Sequence, residues 1–207
     1  AQSVAIHHHM IANYWIHNAR IDLSGEKMSK SLGNVVWMKD ILGEYPAQAY
    51  RLLVLANHYR QSINYSKEMM VKSVGEWEKI EKTYISLYRR LELNDRLQKG
   101  ETLAIMEQFL NEMAYDFNTA NALSVLYTLL KEINKDLRSP STEVKTLQDE
   151  LTTLQAMLFI LGLKMDIAPL SIEEKELVNN WNKARQEKNF ALADTYRQKI
   201  QELGIRL

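Results

Sequence analysis

A bundle of antiparallel helices is the fold class the sequence predicts, and three observations predict it. Glycine and proline are scarce, seven and three in 207 residues, so breaking points are few. Beyond residue 45, apolar side chains recur at spacings of three and four almost throughout, the period of one helix face. β-branched alternation at a period of two is rare.

Taken in order, "AQAYRLLVLAN" over 47–57 predicts a short apolar helix. Ser66 is a good N-cap for a longer one, carried by Val71, Val74, Trp77, Ile80, Tyr84, Leu87, Tyr88 and Leu91. A third helix is expected near 102–115, with Leu103, Met106, Phe109, Leu110 and Met113 on one face. Thr119 can cap a fourth, through Leu123, Leu126, Leu130, Ile133 and Leu137, which Pro140 breaks. Ser141 opens a fifth, with Val144, Leu147, Leu151, Leu154, Leu158 and Leu161, closed by Gly162. Antiparallel helices with one apolar stripe each bury those stripes against one another. "KMDIAPLS", 164–171, reads as a linker. Beyond it, Ser171 and Glu174 fit a capping box, and Leu177, Trp181 and Ala184 are expected to face Phe190, Ala193, Tyr196, Ile200 and Leu203 across a turn at Lys188 and Asn189. Gly204 ends that hairpin, and "IRL" begins something extended. At the front, "AQSVAIHHHMIANYW" predicts a helix and "WIHNARIDL" a strand. Neither end makes a full core, so the chain is expected to begin and end inside larger units.

Composition excludes more than it assigns. With 46% hydrophobic and 25% charged residues the chain is an ordinary globular one. It has no cysteine, which removes disulfides, thiol nucleophiles and thiolate metal sites from these residues. No apolar run approaches the ~20 residues of a membrane span, and a cytoplasmic protein is expected. The 26 basic and 26 acidic side chains cancel, so any contact with nucleic acid is expected to be local rather than a broad basic face. His7, His8 and His9 invite a metal, but neighbours on a helix point about 100° apart and do not converge on one ion; no metal is assigned. No Walker loop or GxGxxG occurs.

"GEKMSKSLGN", 25–34, has no apolar periodicity to bury. Lys27 and Lys30 can converge on a polyphosphate as flexible point charges, Ser29 and Ser31 can donate hydrogen bonds, and Gly25 and Gly33 let the loop move. The same residues also make a solvated surface loop, and by itself the motif leaves both readings open. Arg51, amid "YRLLVL", must reach solvent or find a carboxylate.

The context of this loop, "NYWIHNARIDLSGEKMSKSLGN", resembles the second signature of class I aminoacyl-tRNA synthetases, and its "NYW-x-H-N" approach resembles that of the cysteinyl-tRNA synthetases. "PAQAYRLLVLANHYRQSINYS", "YDFNTANALSVLYTLLKEIN" and "NKARQEKNFALADTYRQKIQELGI" resemble further stretches of that family in collinear order. Its Asp-Ala-Leu-Arg pattern survives as Ala49, Tyr50 and Arg51, with Gln48 in place of the Asp. The resemblance implies that residues 1–44 end a Rossmann-like catalytic domain carrying the KMSKS loop. It implies that 45–170 form a helical bundle docking tRNA, and that 171–207 are a small helical hairpin of an anticodon module. It implies ATP with Mg2+, cysteine and tRNA(Cys) as partners, with Lys27 and Lys30 catalytic and Met28, Ser29 and Ser31 completing the ATP-phosphate site. The family's Zn2+ ligands and its first ATP signature have no counterpart here, so a C-terminal portion, inactive alone and monomeric, is expected. Arg51, Arg60, Lys183 and Arg185 are expected to touch tRNA, on position alone. A related cysteine–amino-sugar ligase shares the loop but has no use for an anticodon hairpin. A non-catalytic RNA-binding bundle explains the stripes and leaves the loop idle.

Overall fold

The computed structural model describes residues 2–9, 12–23, 26–27 and 35–207. Short elements come first: α1 (Gln2–His7), β1 (Ile21–Leu23), β2 (Glu26–Lys27), α2 (Met38–Glu44), α3 (Ala47–Leu55) and β3 (Ile63–Tyr65). The body follows as α4 (Lys67–Glu92), α5 (Ile105–Ala114), α6 (Thr119–Asp136) and α7 (Val144–Ile160), then the hairpin α8 (Ile172–Gln186) and α9 (Phe190–Glu202).

The spine is α4, 26 residues long and hence about 39 Å. Ser66 caps it, its hydroxyl accepting from the Met69 amide. Its buried row runs Met70, Ser73, Trp77, Ile80, Tyr84, Leu87 and Leu91. The expected stripe was one residue out of phase in the first turns: Val71 is 61% exposed, and Met70 and Ser73 take the inward places. The reason is Ser73, whose small side chain donates to the Ala49 carbonyl at 2.7 Å and lets α3 approach closely. Further along, Asn134 of α6 donates to the Thr83 hydroxyl at 2.8 Å, and Gln155 of α7 donates to the Tyr84 hydroxyl at 2.9 Å. The core between these helices is formed by Phe109, Leu126, Leu129, Ile133, Leu154 and Met157, all fully enclosed.

The other helices follow their expected stripes with shifted ends. Leu103 precedes α5, and Leu110 faces outward at 46% exposure. The cap of α6 is Asn118, not Thr119, its side chain accepting from the Asn121 amide. The cap of α7 is Glu143, not Ser141. Gly162 adopts φ +66°, with its own amide donating to Phe159 and that of Leu163 to Leu158. That left-handed helix end is a conformation in which a side chain is strained. Gly100 has a different need: a Cβ there lies 2.5 Å from the Gln148 backbone carbon, because the segment before α5 is strapped against α7 by the Thr152, Thr153 and Asp149 side chains.

The front departs most from expectation. The helix anticipated over residues 1–15 stops at His7, and His8 turns left-handed at φ 57°. Of the anticipated strand 15–23 only Ile21–Leu23 pairs. It pairs antiparallel with β2 and parallel with β3, in the order β2-β1-β3, with Ile21 opposite Ile63 and Leu23 opposite Tyr65. The small sheet is thereby joined to the bundle, since β3 runs directly into the cap of α4. Neither α2 nor β3 was anticipated.

The expected linker is not free. Leu163 and Leu170 are buried, and Met165 and Ile167 pack on the core. The hairpin holds its own small cluster of Leu170, Val178 and Ile200, flanked by Leu93, Leu177, Trp181, Ile205 and Leu207. Phe190 and Leu203, expected inside, are 67% and 59% exposed, and Val178, not anticipated, is buried instead. The capping box of Ser171 and Glu174 is present.

Beneath Arg89 and Glu92 the hairpin is tied to the spine. Arg89 meets Glu92 at 2.5 Å, and donates to the carbonyls of Ala168 and Arg206, each at 3.1 Å. Glu92 accepts from the Leu170 amide at 2.8 Å.

Glu150 is a buried carboxyl group whose proton bears on stability. Glu150 is 2% exposed, its Oε2 lacks a hydrogen-bond donor among the described residues, and its pKa is pushed up to about 8, first by burial, then by the nearby carboxyl groups of Asp136 and Glu132. Between about 4.5 and 8 the folded form keeps this proton while the unfolded chain releases it. Stability therefore falls as pH rises through that window, by at most about 1.4 kcal/mol per pH unit. Glu150→Gln is expected to flatten the melting temperature between pH 5 and pH 8.5 and to raise it at pH 8.5. Identical pH profiles for the two proteins would rule out this titration.

Candidate nucleic-acid interface

The loop with the paired lysines leaves the small sheet. Lys27 ends β2, its Cα opposite that of Asp22 in β1, so the β1–β2 pairing fixes the position of the first lysine's backbone. Asp22 is buried, with the Arg20 Nε 2.7 Å from its carboxylate. Met28, Ser29, Lys30 and Ser31 lie outside the described residues.

Arg51 reaches solvent from α3. Its guanidinium lies over Gly162, where a Cβ would come within 2.9 Å of it. Lys164 shares that recess with Met38, Leu42 and Gln48, and no carboxylate pairs with Arg51 among the described residues. Arg60 is already engaged. It donates to the Tyr59 hydroxyl at 2.9 Å and contacts Asp116 at 3.2 Å, while Tyr59 donates to the same carboxylate at 2.7 Å. Asp116 raises the Arg60 pKa after the Tyr59 hydrogen bond. Asp116 and Phe117 hold this arrangement with two successive positive φ angles, 54° and 53°.

Lys183 and Arg185 come together with residues that the sequence reading passed over. They line a groove of about 1180 Å³ between the C-terminal end of α4 and the hairpin, shared with Arg90, Asn94, Trp181, Phe190 and Arg197. Four cations face it against one carboxylate, Asp194. Arg185 lies over the Trp181 ring at 4.6 Å from its centroid, and Phe190 is exposed beside it. Cations set among flat apolar faces suit a polyanion carrying planar rings, since phosphates take the charges and rings stack on aromatic and guanidinium planes.

Arg90 was missed because Arg89 and Arg90 look alike in "YRRL"; adjacent helical residues diverge by about 100°, so one enters the core and the other the groove. Arg197 was missed because it reaches the groove only through the fold of the hairpin. Phe190 carried the wrong signal, an aromatic at a core spacing that the turn leaves outside.

Among the described residues no group of three or more His, Asp or Glu side chains can hold a metal ion, and no helix is long and apolar enough to cross a membrane.

Comparison with known proteins gives the following. Residues 1–75 match the family of tRNA synthetases class I (C) catalytic domain, and residues 108–165 match the DALR domain. The chain is 36% identical over 205 residues to the cysteine–tRNA ligase of Acholeplasma laidlawii, covering 99% of this chain and 45% of that protein. It is 36% identical over 212 residues to that of Geobacillus sp. (strain WCH70), covering 99% and 46%. It is also 36% identical over 217 residues to that of Exiguobacterium sp., covering 100% and 46%. The chain spans less than half the length of these relatives.

Proposed function

We propose, from a chain whose first 75 residues belong to the class I (C) tRNA synthetase catalytic-domain family and whose residues 108–165 are a DALR domain, that it supplies the KMSKS loop and the tRNA-docking body of a cysteine–tRNA ligase. The observation that carries this reading is the similarity to proteins of that name across 99% or more of the chain. The whole enzyme then activates cysteine with ATP and Mg2+ and esterifies the 3′ end of tRNA(Cys), using Zn2+ held outside these residues. In this reading 1–44 close the catalytic domain, 45–170 dock the tRNA body, and 171–207 approach the anticodon loop. A cytoplasmic monomer is the working form. The similarity running through the hairpin favours this over an amino-sugar ligase, and the loop favours it over a bundle without catalysis.

Lys27 and Lys30, with Met28, Ser29 and Ser31, grip the ATP phosphates. A charge that meets the pyrophosphate oxygens as they leave stabilises the transition state more than bound ATP. Of the cations expected to meet tRNA, Lys183 and Arg185 gain Arg90 and Arg197 as companions on RNA. Arg51 stays available from its recess. Arg60 serves RNA only by giving up part of its contact with Asp116.

Two measurements test this. In a complete cysteine–tRNA ligase containing this chain, Lys30→Ala is expected to lower kcat for cysteine-dependent ATP–pyrophosphate exchange by roughly 10²–10³-fold with the melting temperature unchanged. The 207-residue chain by itself is expected to show no exchange. Normal exchange by the Lys30→Ala enzyme, or any exchange by the chain alone, contradicts the assignment.

The second compares binding of tRNA(Cys), an unrelated tRNA and a blunt RNA duplex to this chain at several salt concentrations. Four phosphate contacts in the groove predict a log–log slope of about −3, made shallower by roughly 0.7 for each cation removed. Lys183→Ala with Arg185→Ala is expected to weaken tRNA(Cys) binding and flatten the slope. Affinity and slope indifferent to both substitutions contradict the groove as the RNA surface.

A further inference from the structure

The groove has two walls from different parts of the chain. Arg90, Leu93 and Asn94 come from the end of α4; Asn179, Trp181, Lys183, Arg185, Phe190 and Arg197 come from the hairpin. Its usefulness to any extended ligand depends on the separation of those walls. Apolar packing sets that separation weakly. The hairpin's cluster has three buried side chains, Leu170, Val178 and Ile200, and is distinct from the main core. The rim pair Lys175–Asp95, at 2.8 Å with Asp95 83% exposed, adds little, as solvated ion pairs do.

Direction comes instead from one turn of α4. Arg89 and Glu92 are 6% and 4% exposed. Their hydrogen bonds reach the chain just before the hairpin, at Ala168 and Leu170, and just after it, at Arg206. Both ends of the hairpin are thus held by one charge pair with fixed fork geometry. Arg206 is itself held outside the pair, by Glu81 at 2.8 Å and by the Asp166 carbonyl. Arg90, the neighbour of Arg89, points into the groove. The residue that fixes the hairpin and the residue that lines the wall are therefore consecutive.

We propose that Arg89 and Glu92 are positioning residues: their buried pair sets the angle of the α8–α9 hairpin against α4 and so holds the two walls of the RNA groove at working separation. The link to RNA rests on the function proposed above; the geometric part does not. A buried ion pair contributes little net stability when both members are replaced by neutral groups of similar size, so loss of angle and loss of fold can be separated.

The chain has no cysteine, so two spin labels can be placed cleanly, at Lys82→Cys on α4 and Ala191→Cys on α9, both exposed sites. Pulsed dipolar spectroscopy then reads the distance between spine and hairpin, and tRNA(Cys) binding is measured on the same chain. Arg89→Met with Glu92→Gln is expected to keep a cooperative melt, to at least double the width of the distance distribution, and to weaken tRNA(Cys) binding tenfold or more. Arg89→Lys keeps the charge but loses the fork. It is expected to broaden the distance and weaken binding in the same directions, and it carries both readouts should the double variant not fold. Lys183→Ala with Arg185→Ala is expected to weaken binding with the distance unchanged. A distance as narrow as in the parent chain, in the joint variants, overturns the positioning role. A broadened distance with undiminished affinity overturns its link to the groove. Failure of the parent chain to bind tRNA(Cys), with the joint variants broadened, overturns the functional reading and leaves the hairpin angle assigned to Arg89 and Glu92.

Discussion

Arg89 and Glu92 stand three residues apart on the inner side of α4, nearly sealed from water, and a charge pair in that place has few permissible geometries. Each unmet donor or acceptor there costs about 1–3 kcal/mol, more for charged groups. The surrounding chain is therefore obliged to bring the Ala168 and Arg206 carbonyls and the Leu170 amide to them. This requirement turns 164–170, polar enough to read as a linker, into a pinned strap. It also brings the last residues of the chain back onto the spine, where Leu207 and Ile205 cover the hairpin's small cluster.

The same helix connects the two ends of the molecule. At its N-terminal end α4 follows β3, which pairs in parallel with β1, and β1 in turn carries β2 and the departure point of the paired-lysine loop. At its C-terminal end it supplies one wall of the basic groove. Between them, Ser73, Thr83 and Tyr84 hold α3, α6 and α7 by side-chain hydrogen bonds. A rod of this kind, with an apolar row on one side and polar pegs at intervals, keeps the small sheet at one end and the groove at the other.

What the sequence revealed follows the range of the interactions involved. Most of the helix stripes, the Ser171–Glu174 capping box and the left-handed glycines at 162 and 204 depend on neighbours within a turn or two and were legible. β3 was not, because its pairing with β1 joins Ile63 to Ile21 across the chain and three residues carry no period. The phase of α4 slipped because the inward place went to a serine, whose partner is the backbone of another helix. Phe190 was placed inside on hydrophobicity alone, and no local rule says that a turn will leave it outside. In the candidate site, two of the four groove cations were named from position. Arg90 and Arg197 needed the hairpin's docking angle, which resides in Arg89, a residue whose burial nothing nearby in the sequence signals.

The most direct measurement of the account is amide hydrogen exchange of this chain with and without tRNA(Cys). The groove occupies residues 179–197 of the hairpin and 90–94 of the spine, two stretches far apart in sequence and adjacent in space. The account predicts slowed exchange in both on adding tRNA(Cys), and in neither on adding a blunt RNA duplex. Slowing confined to other surfaces, or the same slowing with the duplex, would contradict it.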